Sequence, residues 1–316
     1  MRVVAFGGGH GLGASLRALR RCAPKLSLEI TAVVTVGDNG GSSGRLREER
    51  AGLPPGDLRQ ALVALAAEDP ASHRTAALFQ HRFSPRGPAD PLAGHAVGNL
   101  VLCGLMEQLG DPVAALDQAA AMVRAGGRVL PMSAEPVAIE ARVRGADRAR
   151  PDAVVTVRGQ HEVAASRGVV EEVRLDPVAP PACPEAVAAT AAADWLVFGP
   201  GSWYTSVIPH LLVPELAAAI TASPARRLVI LNLTIEPETT GLTVPDHLAA
   251  LSRYAPGLRV DLVVGDVIGV PDPTATRDAA ESLGARLVLD PVAATGARHD
   301  PDALAAALVP LLAGGR

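Results

Sequence analysis

At 316 residues, with 48% apolar and 20% charged side chains, the chain has material for a sizeable core and an ordinary charged surface. A net charge of −4, from 29 basic and 33 acidic residues, and only 2 Trp, 2 Tyr and 4 Phe provide neither a basic face nor a base-stacking platform, so nucleic acid is not an expected partner. Cys22, Cys103 and Cys183 are far apart and outside any CxxC, no apolar run reaches the roughly 18 residues of a membrane span, and the short N-terminal run is no leader; a cytoplasmic protein without membrane contact is expected.

The first strand is expected at Arg2–Phe6, running into GGGHGLG and an amphipathic helix. Glycines there permit a sharp turn and offer bare N–H groups to an anion at the helix start, which makes Gly8, Gly9, His10 and Gly11 candidate ligand contacts. The spacing is not GxGxxG, because Leu12 occupies the sixth position from Gly7, and a plain tight turn is the structural alternative. A second apolar run, Ile30–Val36, leads into VTVGDNGGSSGRLREE. Taken alone, GGSSG reads as a flexible linker. A linker predicts a change of domain beyond it, but the same α/β pattern continues, so a rigid loop near phosphate is expected instead. Asp38 and Asn39 would meet a ribose or sugar hydroxyl; Gly41, Ser42, Ser43 and Arg45 would cradle an anion. Arg45 stands where a P-loop would need Lys.

LPPGDLRQALVALAA then predicts a helix over Leu58–Ala67 with Asp57 as its N-cap, a cap rather than a catalyst although both roles are open. GHAVGNL places His95 and Asn99 at i and i+4 ahead of a helix expected over Gly98–Leu109, with His95 either facing a ligand or satisfied within the structure. Residues 127–178 alternate with period two and are expected as exposed antiparallel strands, a β-rich insertion within one domain spanning 1–316. The Pro-rich 176–184 is a short rigid connection back into the core. Trp195–Phe198 is a strand that runs into GPGSWYTS, where Gly201, Ser202, Tyr204 and Thr205 are candidate phosphate or sugar contacts, or Ser202 and Thr205 simply cap a helix. Further strands are expected at Leu228–Asn232, Val260–Val264 and Arg286–Leu289, and helices at Pro214–Ala222 and Ala303–Leu312. Asn232 ends one strand, and Arg298 precedes a helix capped by Asp300, meeting either a ligand phosphate or solvent. Continuous apolar strands alternating with helices argue for an α/β fold with a doubly wound, mostly parallel sheet, whose ligands bind at the carboxyl ends of strands.

The ordered set GGGHGL, VTVGDNGGSSGRLREE, LPPGDLRQALVALA, LAGHAVGNL, GRVLPMSAEPV and VFGPGSWYTSVIPHLLVPEL resembles the YvcK gluconeogenesis-factor family, itself related to the CofD phospholactate transferases. The resemblance runs from Val3 to about Asp300 and implies a Rossmann-like, CofD-like fold. It further implies binding of UDP-sugars, notably UDP-N-acetylglucosamine, and a regulatory role in gluconeogenic growth, carbon flow to cell-wall precursors and cell shape. Carried over by position, the ligand would touch Gly8 to Gly11, Asp38 with the GGSSGR loop, His95 with Asn99, Gly201 to Thr205, Asn232 and Arg298. Three positions depart from the family pattern: His10 replaces Thr, Asn39 replaces Asp, and IEPET after Asn232 lacks one Gly and carries Glu236 for Gln.

Four functions compete on these residues. A binding regulator needs no cofactor and no turnover; it would have a protein partner in cell-wall precursor synthesis and form a homo-oligomer. A transferase would need Mg²⁺, with Asp38 or Asp57 as ligand or base. An NAD-dependent enzyme fits the glycine turns and Asp38 but lacks a catalytic His or Lys constellation. A scaffold would hold its nucleotide for structure alone.

Overall fold

In a computed structural model, which describes every residue except 148, 167, 235, 236, 240, 295–297, 315 and 316, the apolar runs form two separate sheets. In chain order the strands are β1 (Arg2–Gly7), β2 (Glu29–Val34), β3 (Arg128–Pro131), β4 (Ala138–Arg144), β5 (Val154–Arg158), β6 (Val169–Asp176), β7 (Trp195–Phe198), β8 (Arg226–Ile230), β9 (Leu262–Asp266) and β10 (Arg286–Asp290). Seven of them make one sheet, ordered β10-β9-β8-β7-β1-β2-β3, every pair parallel. The fold is α/β and Rossmann-like, as the alternation of strands and helices requires.

β1 lies mid-sheet, and Val3 to Phe6 are at most 2% exposed, because helices cover both faces. From β1 the chain winds outward to β2 and β3; it then returns to β7 on the other side and winds the opposite way through β8, β9 and β10. The boundary between β1 and β7 is therefore the topological switch point, where connections diverge and leave a crevice at the carboxyl ends of the strands.

Seven helices carry or support the site: α1 (Gly9–Leu26), α2 (Gly41–Arg50), α3 (Pro55–Leu65), α4 (Pro70–Gln80), α5 (Val97–Leu109), α6 (Pro112–Met122) and the short α7 (Gln160–Ala164). Asp69 and Asp111 cap α4 and α6, each accepting two backbone N–H groups. The GGSSG segment is no linker: Gly40 is the N-cap of α2 and GSSG its first turn. Asp57 is not a cap either. Pro54 takes that place, α3 begins at Pro55, and Asp57 sits buried within the first turn.

The β-rich segment differs from expectation at its start. Residues 128–131 join the main sheet, with β3 parallel to β2 in the register Val33 to Leu130. Val129, Leu130 and Met132 are all fully or almost fully buried, so this is a continuous apolar run of a covered strand rather than an alternating one. The antiparallel sheet comprises only β5-β4-β6. Along β4, Ile139, Ala141 and Val143 are buried while Arg142 and Arg144 face water, the alternation of a one-sided sheet. Tyr254 pins this sheet to the helix Val244–Tyr254 by accepting from Val173 N at 2.8 Å.

Candidate functional site

Two glycine turns meet at the switch point. Gly8 separates β1 from α1, and a side chain there has no room: a Cβ would lie 2.3 Å from Thr35 Oγ1 and 2.6 Å from Asp57 Oδ2. At Gly11 a Cβ would sit 2.0 Å from the Pro200 carbonyl oxygen of the turn after β7. The two turns are thus in backbone contact, and only glycine allows it. Asn232, just beyond β8, locks the second turn. It accepts from Gly201 N at 2.7 Å and donates Nδ2 to Gly201 O at 2.9 Å.

Beside these turns opens a cleft of about 530 Å³ lined by His10, Arg17, Gly201, Asn232, Thr234 and Arg298. The volume is that of a small-molecule site. Its charge is positive. No carboxylate pairs with Arg17 or Arg298 among the described residues. Partial burial, then the charges of Arg298, Arg17, Arg59 and Arg82, hold the His10 imidazole below the usual histidine range. His10 is therefore neutral near pH 7, and the two guanidiniums offer forked donors to phosphate.

The third predicted loop lies against the first turn. A Cβ on Gly56 would meet Ser43 Oγ at 2.2 Å and Asp38 Oδ2 at 2.7 Å, so the starts of α2 and α3 touch. Asp57 follows, 5% exposed and facing Thr35 across 3.4 Å. Burial, reinforced by the charge of Asp38, pushes its carboxyl up to about 7; the Gln160 and Thr35 side chains and the Gly9 amide pull the other way. Asp38 itself accepts from Gly40 N at 2.9 Å.

A buried hydrogen-bond chain runs behind α2. Arg59 Nη1 donates to Asn99 Oδ1 at 3.0 Å, and Asn99 Nδ2 donates to Ser42 Oγ at 2.9 Å. That leaves the Ser42 proton for His95 Nδ1, 3.0 Å away. Burial and the neighbouring Arg45 charge lower the His95 pKa, consistent with a neutral ring that accepts there. His95 stands before α5 and not on it, yet its side chain still meets that of Asn99 through Ser42.

Several expected ligand contacts also have partners within the protein. Arg45 Nη2 donates to Ala93 O at 2.7 Å and pins the loop ahead of His95. Asn39 bridges to α7, donating to Glu162 Oε2 at 2.7 Å and accepting from His161 N at 2.9 Å. Ser202 hydrogen-bonds Thr205 and donates to Glu238 Oε1 at 2.6 Å, while Tyr204 N donates to the same oxygen at 3.1 Å. Tyr204 is 5% exposed, and burial pushes its phenol up to about 12. Gly9 opens α1, Gly41 and Ser43 lie in the first turn of α2 with Asp38 just ahead of it, and Gly201 and Arg298 line the cleft.

Arg17, Arg59 and Glu238 are the site residues that sequence reasoning missed. Arg17 follows His10 by seven, two helical turns, which is the one spacing that pointed to it. The departure at Glu236 lies outside the described residues. Among the described residues no group of three or more His, Cys, Asp or Glu could hold a metal ion; Asp38 and Asp57 are a pair, and the latter is half protonated near neutral pH.

Residues 3–299 match the family described as 2-phospho-L-lactate transferase CofD. A curated Mycobacterium tuberculosis (strain H37Rv) relative that carries the gluconeogenesis-factor name is 50% identical over 311 residues, 97% of this chain and 89% of its own. The Bacillus subtilis (strain 168) protein named gluconeogenesis factor is 32% identical over 328 residues, covering 98% of both chains. A crystal structure of a UPF0052 family member from Bacillus halodurans superposes with a TM-score of 0.83 at 33% identity, over 98% of each chain. The matches span nearly the whole chain, and the chain belongs to the CofD family, among the relatives named gluconeogenesis factor.

Proposed function

We propose that the chain binds a UDP-sugar in the cleft at the switch point and acts as a regulator of gluconeogenic growth, without needing turnover. The observation that carries the reading is the pair of unneutralised guanidiniums, Arg17 and Arg298, facing two glycine turns in a cleft of diphosphate-sugar size. Helix-start N–H groups and forked cations together match a dianionic diphosphate. Asp38, at the starts of α2 and α3 beside Gly56, would take a ribose or sugar hydroxyl. UDP-N-acetylglucosamine is the ligand we favour, as the family resemblance implies, and the gluconeogenic role follows the name that relatives carry.

Calorimetric titration with UDP-N-acetylglucosamine, UDP-glucose, GDP and NAD, on wild type and Arg298→Ala, tests this. Binding of the UDP-sugars alone, weakened in the variant, is the expected result; binding of GDP or NAD alone would overturn it. A Mg²⁺-dependent transferase is the second reading. It is favoured by two neighbouring carboxylates, Asp57 beside the first glycine turn and Asp38 beside Gly56. When bound, Mg²⁺ would supply charge neutralisation for a leaving phosphate, and Asp57 would hold or release a proton near neutral pH. Consumption of UDP-sugar in the same mixtures would bring that reading forward.

A further inference from the structure

A second cavity, of about 650 Å³, opens between the far half of α1, the end of α3 and the C-terminal helix Pro301–Ala313. It shares no lining residue with the cleft at the switch point. α1 connects the two, since it starts at the first glycine turn and reaches Lys25 roughly 20 Å further on, at about 1.5 Å per residue. The volume suits a small molecule. Pro24, Leu65, Ala305 and Val309 give the cavity an apolar wall. Arg20, Arg21, Lys25 and Arg124 also line it, against two carboxylates, Glu68 and Asp302.

The members of each ion pair differ in burial. Arg20 Nη2 meets Glu68 Oε1 at 2.9 Å, with the arginine side chain 19% exposed and the glutamate 67%. Arg21 pairs with Asp302 in the same sense, 32% against 74%. The cations are set in the protein and their carboxylates stand in water, where such a pair contributes little and gives way to another anion. Lys25 has no carboxylate partner among the described residues. Arg124 follows α6 with a φ of 50°, a left-handed position that glycine usually fills, and its Nη1 meets Asp69 Oδ2 at 3.2 Å. The frame between these groups is fixed by backbone bonds: Gly126 N donates to Leu65 O at 2.8 Å and Ala67 N to Val123 O at 3.2 Å. Burial, then the charges of Arg21, Arg20 and Arg298, lower the Arg17 guanidinium, so positive charge runs along α1 from the cleft into this cavity.

Helix dipoles account for part of this charge. Lys25 lies in the last turn of α1 and Arg124 just past α6, where cations are favoured. Arg20 and Arg21 stand more than a turn before the end of α1, and no dipole calls for them there. An alkyl chain would suit the apolar wall and leave the cations facing it. A phosphate brings three oxygens to forked donors and an ammonium, and an apolar body attached to it covers the wall. We propose that this cavity is a second anion site, which takes the phosphate of a small organic monoester and packs the body of that ester on Pro24, Leu65 and Val309. The site is independent of the ligand proposed for the switch-point cleft.

The test is calorimetric titration with phenyl phosphate and with benzoate, on wild type, Lys25→Glu, Ala306→Trp and Arg298→Ala. Lys25 and Ala306 are exposed lining residues, so reversing the charge of one and filling the cavity from the other spares the core; an unchanged Tm verifies this. Phenyl phosphate is expected to bind wild type and Arg298→Ala alike, and to bind Lys25→Glu and Ala306→Trp about tenfold or more weakly. Benzoate is expected to bind wild type more weakly than phenyl phosphate does. Unchanged affinity in either Lys25→Glu or Ala306→Trp would overturn the inference, as would failure of wild type to bind phenyl phosphate at millimolar concentration. Weakening in Arg298→Ala would place the anion in the switch-point cleft and overturn it too. Benzoate binding as tightly as phenyl phosphate would refute the assignment to phosphate.

Discussion

Asp57→Asn should flatten one component of the pH dependence of stability. In the folded chain the Asp57 carboxyl is buried beside Asp38, and its pKa rises from 3.8 to about 7. A raised carboxyl binds its proton more tightly in the folded state than in the unfolded one. The stability it supports is therefore complete below about pH 4, and it is lost as pH rises toward 7, where the folded group ionises at last. At about 1.36 kcal/mol per pH unit, the interval from 3.8 to about 7 corresponds to about 4 kcal/mol. Asparagine is nearly isosteric, can still accept from Thr35 Oγ1, and does not ionise. The variant should then gain on wild type steadily from about pH 4 to about pH 8, by up to ~4 kcal/mol. Urea denaturation followed by fluorescence at several pH values measures the difference. His10, His95, His210, His247 and His299, all lowered by burial, give the opposite slope below pH 6.5, but they are common to both proteins and cancel. A difference that stays constant from pH 4 to pH 8 would mean that Asp57 is not charged against its surroundings, and the account of this corner would be wrong.

Gly11→Ala places a Cβ 2.0 Å from Pro200 O, so the two turns must part; a loss of roughly 1–3 kcal/mol is expected in thermal unfolding, and an unchanged Tm would show slack between them. Arg298→Ala should weaken UDP-sugar binding about tenfold, whereas Arg45→Ala, whose guanidinium serves Ala93, should leave affinity within about twofold. If Arg45→Ala costs as much, the loop carries charge to the ligand after all. Asn232→Ala removes both hydrogen bonds that orient Gly201 and should lower affinity about tenfold in the same titration, with far-UV circular dichroism unchanged.

Much of the fold was legible because its signals are local. Six of the seven main-sheet strands fall within two residues of the apolar runs that announce them. Asp300 caps its helix as expected, accepting from Asp302 N and Ala303 N. The glycine clusters marked both turns at the switch point, since a parallel sheet feeds its helices through such turns and only glycine tolerates their contact. β3 was misread because its short buried run sits beside a truly alternating segment.

Partnership was not legible. Asn39 meets Glu162 across 123 positions, and Ser202 meets Glu238 across 36. Side-chain chemistry shows that a polar group needs a partner; packing chooses between a ligand, a backbone carbonyl and a distant carboxylate. Thus Arg45, exposed on the first turns of α2, serves Ala93 O, while Arg17, an ordinary helix residue by pattern, came to face the cleft. The architecture and the place of the site follow from the periodicity of apolar residues and the steric freedom of glycine, both written along the chain. Which guanidiniums and hydroxyls remain unspent at that place depends on contacts between segments far apart in sequence, and those exist only once the chain has folded.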